Sequence, residues 1–314
     1  MRRHCRTTGQ TVAITTAAAQ LRPSFLAAAW AVGLSVGLVL ILIAASPAWA
    51  DEAAGHYNLG LQFKREGKVP EAIAEVEKAI AARPNYAAAH LTLGNLWRAQ
   101  GNIEKAAGYY EKTVKLEPRD ATAHGNLGVA YVRLNRIDDG IRELQQAVDI
   151  APNDYEFQVQ LGIAFRQKGD LKSAIVHLQK ATELQPSEGS AWTSLGVTRI
   201  KAKDNDGAMV AFKKALSLNP NDADLHFNMA VVYRRQFATE QAIAEYQLAL
   251  KHNPKLAKAY YDLGLLYGQV RRPDDAAQAF RKYLEYGTSE DAASRDDAEE
   301  RLKSFEAAKS PKKK

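Results

Sequence analysis

Residues 154–186 read DYEFQVQLGIAFRQKGDLKSAIVHLQKATELQP. Leu161, Phe165 and their apolar neighbours recur at i, i+3, i+4 and i+7, Gly169 interrupts, and Ala174, Leu178 and Ala181 resume at i, i+4 and i+7 before Pro186. This spacing gathers apolar side chains on one face of a 3.6-residue helix and predicts two short amphipathic helices joined by a turn and closed by a proline. Gly162 and Ala174 are small where the helices face each other, because interaxial distances of about 8–10 Å leave no room for a large side chain.

The unit is one of a series. Pro84, Pro118, Pro152, Pro186, Pro220 and Pro254 stand 34 residues apart without an insertion, and Leu59-Gly60, Leu93-Gly94, Leu127-Gly128, Leu161-Gly162 and Leu195-Gly196 keep the same period. An array of one repeated unit stacks neighbours to bury a continuous core. The pairs Pro84-Asn85, Pro152-Asn153 and Pro220-Asn221 stop a second helix, and their asparagines are expected to cap the next first helix.

The arrangement resembles the tetratricopeptide repeat, whose 34-residue signature has a large residue at position four, Leu-Gly at seven and eight, an aromatic at eleven, Ala at twenty and Pro at thirty-two. Seven units fit, starting at Ala53, Ala87, Ala121, Tyr155, Gly189, Ala223 and Ala257. Position eleven reads Phe63, Trp97, Tyr131, Phe165, Arg199, Tyr233 and Tyr267, and position twenty reads Ala72, Ala106, Gly140, Ala174, Ala208, Ala242 and Ala276. Departures are local: Arg199 and Lys203 in the fifth unit, Met229-Ala230 in the sixth, and Thr288 in place of the last proline. The resemblance implies an all-α, right-handed solenoid of seven helix pairs over residues 51–288. Residues 289–309, with Ala298, Leu302 and Phe305 on one face, read as a helix that caps the exposed last repeat.

Ahead of the array, Arg2, Arg3, Arg6 and Arg22 carry charge, no acidic residue precedes Asp51, and residues 23–50 are uncharged. A basic start, an apolar run and Ala48-Trp49-Ala50 before a polar segment describe a signal peptide over residues 1–50. The alternative is an uncleaved membrane anchor, since Phe25 to Ala45 is 21 residues, enough to span a bilayer. Either reading puts the repeats outside the cytoplasm, in the periplasm or secreted, and leaves the N-terminus as the only membrane contact.

The formal charge of +6 is misleading. The first fifty residues hold +4 and Lys309, Lys312, Lys313 and Lys314 another +4, leaving residues 51–308 at −2, with no basic excess to grip a nucleic acid. The last residues, 310–314, read as a basic solvated tail. The only cysteine, Cys5, lies in the segment expected to be removed, so the mature chain has no disulfide, thiolate metal site or cysteine nucleophile. His56, His90, His124 and His226 all occupy position four, but equivalent positions in adjacent repeats lie about two helix packings apart, roughly 16–20 Å, too far to share an ion. They read as half-buried rings in the slot that Trp192 and Tyr260 fill elsewhere, while His177 and His252 read as isolated. Asp138-Asp139 and Asp274-Asp275 stand where second helices begin and complement the helix N-terminus. With no nucleophile elbow, phosphate loop or catalytic acid pair, and no spare length for another domain, the expectation is a protein without enzymatic activity, cofactor or metal.

What remains is the surface. Position six reads Asn58, Thr92, Asn126, Gln160, Ser194, Asn228 and Asp262, all polar, and seven residues on stand Arg65, Arg133, Lys201 and Arg235 behind Asn58, Asn126, Ser194 and Asn228. In tetratricopeptide arrays this stripe lines the concave groove. Amides donate to and accept from a peptide backbone and arginine forks fit carboxylates, which suits capture of an extended protein segment bearing acidic groups. The stripe is similar to the asparagine ladder of the repeats attached to O-linked N-acetylglucosamine transferase. The carboxylate clamp of heat-shock co-chaperones differs, since it wants lysine at position five, where this chain has Tyr57, Leu91, Gly125, Val159, Thr193, Phe227 and Tyr261. The expected function is a non-enzymatic scaffold of the cell envelope that holds a partner segment in the groove. Self-assembly into a structural solenoid, or service as a regulatory subunit of a separate enzyme, are the alternatives.

Overall fold

A computed structural model of the chain describes residues 48–287 and 292–309, and the expectations for residues 1–47 and 310–314 lie outside them. The described residues form α-helices and no strand. Seven pairs follow one another: α1 (Ala48–Arg65) with α2 (Val69–Ala82), α3 (Ala87–Ala99) with α4 (Ile103–Leu116), α5 (Ala121–Arg133) with α6 (Ile137–Ile150), and α7 (Tyr155–Lys168) with α8 (Leu171–Leu184). The series continues with α9 (Gly189–Lys201) and α10 (Asn205–Leu218), α11 (Ala223–Arg235) and α12 (Thr239–His252), and α13 (Ala257–Gln269) and α14 (Pro273–Tyr286). A last helix, α15 (Ala292–Lys309), packs on α14. Each first helix packs on its own second helix and on the second helix of the repeat before, giving an α-solenoid. The motif Ala48-Trp49-Ala50 forms the first turn of α1, and no described helix is long and apolar enough to cross a membrane.

The close approach within a pair is set at positions eight and twenty-four. A Cβ on Gly94 would stand 2.6 Å from the Tyr110 ring and one on Gly162 2.7 Å from Leu178, so only hydrogen fits. The position-twenty-four residues opposite, Val76, Tyr110, Leu144, Leu178, Phe212, Tyr246 and Phe280, are buried to the last few per cent in all seven repeats. They form the spine of the core, which ends where Ala298, Leu302 and Phe305 of α15 cover the last pair and Phe305 stacks on Phe280 at 6.3 Å.

Within each pair the chain reverses through one residue in the left-handed region. It is glycine in three repeats, Gly67, Gly101 and Gly169, but Asn135, Lys203, Phe237 and Arg271 elsewhere, at φ of 61°, 63°, 57° and 59°. The backbone closes the turn from position sixteen to position eleven, as in Arg136 N–H to Tyr131 C=O at 2.8 Å and Arg272 N–H to Tyr267 C=O at 2.8 Å. Those bonds hold non-glycine residues where a Cβ is disfavoured.

Between repeats, the structure moves the expected cap by one residue. Asn85, Asn153 and Asn221 lie inside the turn, and the following position supplies the cap where it is aspartate. Asp120 Oδ1 accepts from Thr122 N–H and Ala123 N–H, Asp154 Oδ1 from Phe157 N–H, and Asp222 Oδ1 from Asp224 N–H and Leu225 N–H. The turn needs two residues after the proline before the helix starts, so asparagine comes too early to reach the first free N–H groups. Asp138, Asp139, Asp274 and Asp275 do stand in the first turns of α6 and α14.

Candidate functional site: the inner face of the first helices

First helices of successive repeats touch each other, α5 with α7, α7 with α9 and α9 with α11, which sets them on the inside of the curve. Polar bonds run along this face from repeat to repeat. Tyr57 Oη meets Thr92 Oγ1 at 3.1 Å, Tyr155 Oη meets Ser190 Oγ at 2.7 Å, and Lys258 Nζ donates to Asp224 at 2.8 Å.

The polar stripe divides into groups bound to the fold and groups left open. Asn58 is exposed, Asn126 and Asn228 are half-buried, and none of their amides meets a partner among the described residues. The exposed cations Arg65, Arg133 and Lys201 likewise form no ion pair there. Gln160 donates to Glu156 at 2.6 Å, on its own helix, and Arg235 donates to the Ile200 carbonyl at 2.7 Å. Asp262 departs from the expectation of an open groove residue. It is buried, accepts from Arg234 at 2.8 Å and from the Tyr246 hydroxyl at 2.7 Å, and has no oxygen to offer outward. Burial, reinforced by the Asp262 charge, pushes the Tyr246 hydroxyl far above its ordinary range. Burial alone lifts Tyr110, whose hydroxyl donates to Asn95 at 2.8 Å, to about 12.

Arg166 and Arg234 are inner-face residues that the position-six stripe did not contain. Both stand at position twelve, and both reach position six of the next repeat: Arg234 to the Asp262 carboxylate, Arg166 to the Ser194 carbonyl at 3.4 Å. The signal was a 28-residue spacing across a repeat boundary, which helical periodicity within one unit does not expose.

Position four behaves as a second, buried polar system. Its side chain faces the carbonyl of the preceding repeat's proline: His90 at 2.8 Å, His124 at 3.1 Å, Gln158 at 2.8 Å, Trp192 at 3.0 Å and Tyr260 at 3.2 Å. A carbonyl only accepts, so the slot requires a donor, and His, Gln, Trp and Tyr share nothing else. The other ring nitrogens of His56, His124 and His226 meet Glu75, Glu143 and Glu245 at 2.6, 2.8 and 2.7 Å. His177 and His252 are not isolated: His177 Nδ1 donates to Gln158 at 2.8 Å and its ring stacks on Phe165, while His252 stacks on His226 at 5.4 Å. Among the described residues no three side chains gather as a metal site would require.

Seven stacked pairs with a glycine-to-core contact and an inner polar face define a solenoid of the tetratricopeptide class. The profile of the family described as the cilia and flagella-associated protein 70 C-terminal domain matches residues 50–298, and the chain belongs to this tetratricopeptide family. No curated protein matches the chain. A tetratricopeptide repeat protein from Parabacteroides merdae superposes over 82% of this chain and 99% of its own, at 18% identity and a TM-score of 0.62. YrrB, a tetratricopeptide protein with an unusual peptide-binding site, covers 59% of this chain and 95% of its own, at 23% identity and a TM-score of 0.51. MamA covers 53% and 97%, at 25% identity and a TM-score of 0.50. The fold is that of an interaction scaffold, and the family is generally non-catalytic.

Proposed function

We propose that this protein holds an extended segment of a partner protein in its inner groove, outside the cytoplasm, and carries out no chemistry of its own. The observation that carries the reading is the row of amides at Asn58, Asn126 and Asn228, unpaired within the chain and set along one face with Arg65, Arg133 and Lys201. Half-buried amides without partners cost stability, and an extended backbone presents the donors and acceptors they lack. The cations suit acidic groups on the partner, while Gln160, Ser194 and Arg235 flank the track. YrrB, which has a peptide-binding site, shows that the architecture accommodates a peptide. Localisation rests on the basic and apolar N-terminal sequence, and intact-mass measurement of the exported protein tests it: a chain starting at Asp51 fits, a full-length chain fixed in membranes means an anchor.

The test of the groove is photocrosslinking from the Asn126 and Asn228 positions in the native envelope, followed by binding measurements with the recovered partner. Asn126→Ala with Asn228→Ala should weaken the partner at any salt concentration, and Arg65→Ala with Arg133→Ala mainly at low salt, because exposed charges are screened beyond about 8–10 Å. Affinity that survives both pairs moves the site off the groove. A second reading, self-assembly, draws on Val176 and Val210, equivalent residues of α8 and α10 that are 62% and 65% exposed. Sedimentation that depends on concentration and is abolished by Val176→Glu and Val210→Glu would favour it.

A further inference from the structure

Every second repeat places an arginine at position twelve of its first helix, Arg98, Arg166 and Arg234, and opposite each, 28 residues on, stands an oxygen-bearing side chain: Asn126, Ser194 and Asp262. The chain therefore contains its own comparison. In the sixth repeat the guanidinium of Arg234 is neutralised by the Asp262 carboxylate at 2.8 Å. In the fourth repeat the corresponding Arg166 finds a serine where the acid would be.

The rest of the surroundings do not replace that acid. The Arg166 contact to the Ser194 carbonyl is 3.4 Å, longer than a well-formed N–H···O bond, and the same carbonyl already accepts from the Thr198 hydroxyl at 2.7 Å. No ion pair of Arg166 exists among the described residues, and burial alone acts on its guanidinium, lowering it from its ordinary value. Beside Ser194 the first helix carries only small groups, Gly189, Ser190 and Thr193, where other repeats carry Tyr57, Phe227 or Tyr261, and a cleft of about 520 Å³ opens there. A half-buried cation without its counter-ion thus stands next to the space that a partner's chain would fill.

We propose that Arg166 is a carboxylate-binding residue, and that the partner segment supplies at the fourth-to-fifth repeat boundary the acid that Asp262 supplies internally at the sixth-to-seventh. This deepens the groove reading and rests on it. The acid is an Asp or Glu side chain or a chain-terminal carboxylate, held by the guanidinium fork. Arg98, which is exposed, faces the open amide of Asn126 at the equivalent place nearer the N-terminus.

The test uses the full chain and two defined probes, a fluorescein-labelled peptide of alternating Glu and Ala and its Gln counterpart. The wild-type protein should bind the Glu peptide about tenfold or more tightly than the Gln peptide. Arg166→Gln should erase that preference. Ser194→Asp should erase it as well, by supplying the acid from within, and should raise the thermal midpoint, an increase that disappears when Arg166→Gln is added. No preference in the wild type, or a preference that persists in both variants, overturns the assignment. If Asn126→Ala with Asn228→Ala weakens both peptides while Arg166→Gln changes nothing, the groove stands and Arg166 is not its anion site. If all variants bind both peptides as the wild type does, the groove reading falls with it.

Discussion

Asp262 and Asn228 occupy the same repeat position one unit apart, and their surroundings give them opposite roles. The Tyr246 hydroxyl is fully buried and has Asp262 as its acceptor, so Asp262→Ala leaves a buried donor unmet and should destabilise the fold by about 2 kcal/mol, read as a lower urea midpoint. The Arg234 side chain is 39% exposed and adds less, because water takes over its hydrogen bonds. Asn228→Ala should change the midpoint by no more than about 0.5 kcal/mol, since no bond in the fold depends on its amide. His177 gives a pH signature. Burial lowers its proton affinity from the ordinary 6.5, and its ring donates to Gln158, which carries no charge. The unfolded chain therefore binds a proton on this histidine more readily than the folded chain. The stability it contributes is present above pH 6.5 and lost as pH falls below it towards the folded-state value. His177→Gln should flatten that part of the pH–stability profile, and an unchanged slope would show that the ring is not held neutral.

At the scale of helices and turns, two kinds of position set the geometry. Gly94 and Gly162 let the paired helices meet over Tyr110 and Leu178. Gly162→Val should overpack that contact by about 1–3 kcal/mol or more, measurable by denaturant unfolding. The turn residue works in the other direction. Phe237 has a positive φ and is 91% exposed, so its side chain gains little packing to offset the left-handed backbone. Phe237→Gly should stabilise the protein by about 1 kcal/mol, whereas the same change at Asp154 removes the cap on Phe157 N–H and should destabilise it slightly. A drop in stability for Phe237→Gly would mean that the ring makes a contact worth more than its strain.

Contacts in the whole molecule run from each helix to its neighbours along the chain, so stability is near a sum of repeat and interface contributions. Deleting residues 155–188, one full period, should leave a shorter folded array with a cooperative transition and a smaller unfolding enthalpy. Deleting residues 289–314 should uncover the surface that Ala298, Leu302 and Phe305 close over Phe280 and Tyr283, and the product should aggregate. Circular dichroism and light scattering separate the two results, and a folded, monodisperse tail deletion beside an unfolded internal deletion would refute the one-dimensional picture.

The period of 34 residues, the paired helices, the small residue at position eight and the cap at the C-terminal end were all legible in the sequence, because each depends on residues close together in one unit and is repeated seven times. The polar stripe was legible as a pattern of residue types for the same reason. Which of its members stay open was decided only when first helices of neighbouring repeats came together, since hydrogen bonds across that boundary join residues 28, 34 or 35 apart. Asp262 is closed by Arg234 and Tyr246, Arg235 by the Ile200 carbonyl, and Arg166 is left facing Ser194. Helical periodicity fixes the face on which a side chain stands; whether its charge or amide is satisfied depends on what the next turn of the superhelix brings opposite.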